Sequence, residues 1–103
     1  MAQQIKIGMI ADFPEGEGKV VEFDGEKYAV FKIDGRLFAT TNTCPHQGGP
    51  LGDGMLSGCQ VTCPLHGWVF DVKSGQCQNF ETVTIETFPV VANENGEVFL
   101  VIE

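Results

Sequence analysis

Thirteen glycines and five prolines among 103 residues leave this chain little scope for a long helix. Inside a helix, glycine costs about 1 kcal/mol and proline about 3 kcal/mol relative to alanine. No window of eleven or more residues carries a helical stripe of apolar side chains. Turn signals recur instead. Asp24-Gly25 and Asp34-Gly35 are hairpin pairs, because both residue types tolerate the left-handed backbone that suits twisted strands. Ser74-Gly75 and Asn93-Glu94-Asn95-Gly96 mark further turns. Strand-like runs lie between them at residues 4–7, 20–23, 27–33, 36–40, 83–87 and 97–102. Val83, Ile85 and Thr87 alternate with Thr82, Thr84 and Glu86, as in a half-buried strand. Val98 to Ile102 is apolar at every position and reads as a central strand. The expectation is an all-β domain of about eight to ten short strands, with turns at sandwich or barrel spacing.

A chain of this length accommodates one hydrophobic core, hence one domain over residues 1–103. It has no apolar run near the eighteen or so residues that span a bilayer. Its first residues lack the basic stretch and apolar core of a signal peptide. A cytoplasmic, soluble protein is expected. Six basic against fourteen acidic residues give a formal charge of −8. That balance argues against nucleic acid, whose phosphates need a basic footprint, and against an anionic membrane surface. It suits solubility, and equally docking to a partner with a basic patch. Asp12, Glu15, Glu17, Glu22 and Asp24 read as a solvated acidic face.

The pattern changes once. Residues 43–58 are glycine-rich and lack alternation. A loop this long in a small domain is functional or disordered, and this one is stiffened by proline and carries a Cys and a His. It reads as part of an inserted subdomain from about 40 to 77. Both histidines of the chain stand beside a cysteine, in Cys44-Pro45-His46 and in Cys63-Pro64-Leu65-His66, with residues 47–62 between them. Each half places a thiolate and an imidazole on one tight loop. Two such loops facing each other can grip a metal centre from both sides. An iron–sulfur cluster with one iron on two Cys and the other on two His has this requirement. Gly48, Gly49 and Gly67 would let main-chain N–H groups approach the sulfides.

Asn42-Thr43-Cys44-Pro45-His46, followed by Cys63-Pro64-Leu65-His66-Gly67-Trp68-Val69-Phe70-Asp71, resembles the Rieske [2Fe–2S] motif. The likeness covers essentially the whole chain, which looks like a small soluble Rieske ferredoxin of the kind serving aromatic ring-hydroxylating oxygenases. The resemblance implies one [2Fe–2S] cluster, its inner iron on Cys44 and Cys63 and its outer iron on His46 and His66. It implies a β-sandwich-like base with a smaller cluster-binding subdomain. It also implies a one-electron carrier, not an enzyme, between a flavoprotein reductase and a terminal oxygenase. A monomer suits such a shuttle. Replacing two thiolates by imidazoles takes the oxidised site to zero charge and the reduced site to minus one, which eases reduction relative to four cysteines.

Gly49 and Leu65 stand where the respiratory members of the family carry a disulfide pair, and Trp68 stands where they carry a serine hydroxyl that donates to a sulfide. Fewer donors to cluster sulfur lower the potential, so a value near the low end of the range, about −150 mV, is expected rather than one near +300 mV. Gln47, Pro50, Pro64, Leu65 and Trp68 would form an uncharged docking surface around the histidines, or simply shield the cluster. Trp68 reads first as a packing residue beneath the second loop and second as an exposed anchor for a partner.

Two other readings stand beside this one. The small subunit of an assimilatory nitrite reductase has a similar length and similar Cys-Pro-His and Cys-Pro-Leu-His-Gly-Trp segments. A structural zinc module could use the same four ligands, although alternating Cys-x-His and Cys-x-x-His is unusual for one. A catalytic Cys–His dyad would not explain the duplication. Cys59 and Cys77, outside the motif, read as small buried hydrophobes.

Overall fold

The computed structural model describes residues 3–43, 50–64 and 67–102. In chain order the strands are β1 (Gln3–Met9), β2 (Gly18–Phe23), β3 (Glu26–Ile33), β4 (Arg36–Thr41), β5 (Met55–Ser57), β6 (Gln60–Thr62), β7 (Val69–Asp71), β8 (Thr87–Phe88), β9 (Val90–Ala92) and β10 (Glu97–Ile102). Single 3-10 turns occur at Ile10–Asp12 and Leu51–Asp53. Among the described residues the strands form three antiparallel sheets, ordered β1-β10-β9, β2-β3-β4-β8 and β5-β6-β7. The expected all-β architecture is present.

The two predicted hairpins form as their turn residues dictate. Phe23 pairs with Glu26 and Ile33 with Arg36, and Asp24, Gly25, Asp34 and Gly35 all have positive φ. β10 lies between β1 and β9, as a central strand should. Only one of its faces is fully buried, through Val98 and Leu100.

Strand β3 shows how the layers stack. Successive side chains point to opposite faces, and here both faces are covered. Tyr28 and Val30 join Ala39, Phe13, Val98 and Leu100 in one core cluster. Ala29 and Phe31 join Leu51, Val61, Phe70, Val72 and Ile85 in another. The β2-β3-β4-β8 sheet is therefore a middle layer. The terminal sheet covers one face of it. The β5-β6-β7 sheet, inserted between β4 and β8, covers the other.

Two expectations differ from the structure. Residues 43–58 do not form one loop: Leu51 is fully buried in a 3-10 turn and β5 pairs with β6. Residues 83–87 do not form one strand. β8 covers Thr87–Phe88, and upstream there is a single bridge, Gln76 to Thr84. Ile85 is buried and Val83 packs against the same core. Their backbone partners, however, are Gly75, at the end of a turn, and Cys77, which sits in an isolated bridge to Phe70. The alternation reported burial, not strand pairing.

Candidate metal centre

The first Cys/His loop hangs from a closed neck. β4 ends at Thr41, and Asn42 follows at 5% exposure. The Asn42 N–H donates to the Lys27 carbonyl at 3.2 Å, its carbonyl accepts the Leu51 N–H at 2.7 Å, and its side-chain Oδ1 accepts the Gly52 N–H at 2.8 Å. One residue on, Thr43 bridges Pro50. The returning chain passes close by because Gly52 has no side chain. A Cβ there would collide with Val20 and press on Asn42 Oδ1. Cys44, Pro45, His46, Gln47, Gly48 and Gly49 lie outside the described residues.

The second loop connects β6 to β7. Thr62 pairs with Val69. The Cys63 N–H donates to the Trp68 carbonyl at 2.7 Å, and the Gly67 N–H donates to the Cys63 carbonyl at 3.1 Å. Gly67 has φ +75°, a left-handed conformation that favours glycine. Its N–H is thus engaged in closing the loop. Leu65 and His66 lie outside the described residues.

The two loops share a wall. Gly54, on the chain leaving the first loop, lies against the Thr62 carbonyl so closely that a Cβ would overlap it. Asp53, Gly54, Met55, Thr62, Cys63, Pro64 and Gly67 line a cavity of about 530 Å³. Cys63 is only 2% exposed and belongs to the inner core, yet its residue also borders this cavity. A soft sulfur donor held at the edge of a dry core suits a metal–sulfur centre. Asp53 is the one carboxylate among these lining residues. Pro64 is exposed and Pro50 half-buried at the neck. Met55, which the sequence did not single out, stands 78% exposed on the rim.

Trp68 is half-buried, packs on the inner core and stacks on Phe80 at 4.6 Å. The packing reading is the one its surroundings support. Behind it, Asn79 Oδ1 accepts the Val69 N–H at 2.8 Å. Cys77 is buried in the core. Cys59 lies half-buried on the turn joining β5 to β6 and borders a different, smaller cavity with Arg36 and Lys73. Cys59, Cys63 and Cys77 are free thiols. The acidic face is more specific than expected. The Glu15 carboxylate accepts the N–H groups of Asp34 and Gly35 at 2.6 and 2.9 Å, and Asp12 accepts the Met9 N–H at 2.9 Å. These carboxylates brace turns. Two short polar side chains, Asn42 and Asn79, were missed as supports of the site. Their only sequence signal is proximity to the ligand motif.

A family model of the Rieske [2Fe-2S] domain matches residues 3–89. A Ralstonia sp. ferredoxin component of naphthalene 1,2-dioxygenase/salicylate 5-hydroxylase systems is 37% identical over 101 residues, covering 96% of this chain and 95% of its own length. A chain from the complex of reduced oxygenase and oxidized ferredoxin in carbazole 1,9a-dioxygenase superposes with TM-score 0.86 at 31% identity, covering 94% of this chain and 91% of that one. A Mycobacterium tuberculosis chain assigned as an NADH-dependent nitrite reductase small subunit superposes with TM-score 0.93 over 100% of this chain and 97% of its own, at 20% identity. That last likeness is one of fold.

Proposed function

The chain belongs to the Rieske [2Fe–2S] domain family, and from that premise we propose how it works. It is a ferredoxin component, carrying one [2Fe–2S] cluster and delivering electrons to a terminal oxygenase; it is not itself the catalytic enzyme. The ligands are Cys44 and Cys63 on the inner iron and His46 and His66 on the outer iron. Residues of about 40–77 form the cluster-binding subdomain. When bound, the cluster supplies a one-electron couple. The protein's part is to hold the donors and to keep water from the sulfur side.

The observation that carries this reading is the position of Cys63. Its loop is closed by backbone hydrogen bonds at the edge of a packed core. It borders a cavity shared with the chain leaving the first loop. Burial excludes water from one side of the site. Pro64 is exposed beside the second loop, and the partner is taken to approach from that side. Gln47, Pro50, Pro64 and Leu65 form the docking surface with Met55 on its rim, and Trp68 supports it from beneath. The donor is a flavoprotein reductase. The protein is monomeric and acts in the cytoplasm, without nucleic acid or membrane. No helix among the described residues is long and apolar enough to cross a membrane.

The test is electron paramagnetic resonance of the purified protein, as isolated and after dithionite. A rhombic signal on reduction, with an average g below that of four-cysteine clusters, supports the mixed ligand set. A colourless, silent protein carrying zinc refutes it. A pull-down separates the oxygenase role from that of a nitrite reductase subunit, by returning an oxygenase or a sirohaem protein. Electron transfer to the oxygenase should slow with rising ionic strength if the charge of −8 steers docking; a flat response removes that role.

A further inference from the structure

We propose that Gln76 is a positioning residue for the second ligand loop. This rests on the reading that residues 63–68 carry ligands. The turn before Gln76 is firmly built. Asp71 Oδ1 accepts the N–H groups of Lys73 and Ser74 at 2.8 and 3.0 Å, and the Gly75 N–H donates to the Asp71 carbonyl at 2.7 Å. Gly75 has φ +82°, and a Cβ there would overlap the Ile85 carbonyl. This turn delivers Gln76 with its side chain directed into the following loop. Gln76 Nε2 lies 3.0 Å from the Cys77 carbonyl, 3.3 Å from that of Phe80, 3.2 Å from that of Glu81 and 3.2 Å from that of Val83. An amide has two hydrogens, so four carbonyls share them. The side chain is a knot that closes residues 77–83.

That closed loop meets the end of the second ligand loop and the first residue of β7 at three points. Asn79 Oδ1 accepts the Val69 N–H at 2.8 Å, the Gln78 N–H donates to the Val69 carbonyl at 2.7 Å, and the Phe80 ring meets Trp68 at 4.6 Å. The Trp68 carbonyl in turn accepts the Cys63 N–H. Cys77 and Val83 anchor the two ends of the loop in the inner core, but Phe80 at its tip is 48% exposed. The polar knot sets the position of that tip. Gln76 does not border the cavity beside Cys63. It acts through Asn79 and Phe80.

The experiment compares the wild-type holoprotein with Gln76→Glu, which keeps the shape but turns acceptors toward four carbonyl oxygens. Hydrogen exchange read by mass spectrometry should accelerate about tenfold or more at residues 68–71 and stay unchanged in the β1–β10 ladder. The g values of the reduced protein should shift or broaden. Glu94→Gln, on the exposed turn between β9 and β10, should change neither. If Gln76→Glu does not fold, Gln76→Met, of similar length and without N–H donors, is read the same way. Unchanged exchange at 68–71, or an equal rise in the β1–β10 ladder, overturns the positioning role. A wild-type protein with no rhombic signal overturns the ligand reading as well. A normal wild-type signal without the exchange contrast overturns the positioning role alone.

Discussion

The two faces of the middle sheet are held by different means. Toward the terminal sheet, long strands do the work. β3 has 8 residues, and β1 and β10 have 7 and 6. Their ladders fix geometry, and Tyr28, Val30, Val98 and Leu100 fill the space between them. Toward the metal centre, β5, β6 and β7 have 3 residues each. Ladders that short specify little. Polar side chains bonded to backbone take over: Asn42 on Gly52, Asn79 on Val69, Asp71 on its own turn, and Gln76 on its loop. The lesson is that a binding region can be fixed in place without long regular structure, provided each loose N–H and carbonyl finds a nearby side chain.

The sharpest separation of the two regions should come from the ligands. His46→Ala, His66→Ala or Cys63→Ala should abolish the native cluster spectrum while exchange protection in the β1–β10 ladder persists. A wild-type spectrum from any of them would refute its assignment. Core truncations should divide by face. Phe31→Ala, on the metal-centre side, is expected to cost about 3–5 kcal/mol and Leu100→Ala, on the terminal side, about 2–5 kcal/mol. Denaturant unfolding measures both. Only Phe31→Ala should also accelerate cluster loss, and equal rates of loss would mean that the faces are not separable.

Asn42→Ala should come next. It leaves the Gly52 N–H unpaired at a buried position, at a cost of about 1–3 kcal/mol, with exchange rising at residues 50–54 before anywhere in the terminal sheet. The smallest effect belongs to the terminal sheet. The hydrogen bond from Asn93 and then the Lys6 ammonium, 2.9 Å away, hold the Glu97 carboxyl below the usual glutamate range. A lowered folded pKa contributes stability that is present above the unfolded value and is lost as pH falls through the folded one. Glu97→Gln should therefore flatten the acid limb of the stability curve slightly. Both partners are partly solvated, so raised salt should shrink the difference. An unchanged acid limb would remove the pair from the account.

The fold class, both two-residue hairpins and the paired Cys/His motif proposed to hold the cluster were all legible in the sequence. These are signals carried by adjacent residues: Asp24-Gly25 and Asp34-Gly35 demand a left-handed backbone, and Cys44, His46, Cys63 and His66 stand in two tight pairs. The order of the layers was decided only in three dimensions. Within β3, Tyr28 to Phe31 is a continuous apolar run, and nothing local says that Phe31 faces the metal centre while Val30 faces the terminal sheet. The same holds for Val83 and Ile85, whose alternation is real but whose backbone partners, Cys77 and Gly75, lie outside any regular strand. Asn42, Gln76 and Asn79 were illegible for a physical reason. A polar side chain acquires its role from whichever backbone group happens to lie within 3 Å or so, and that neighbour is chosen by the tertiary fold.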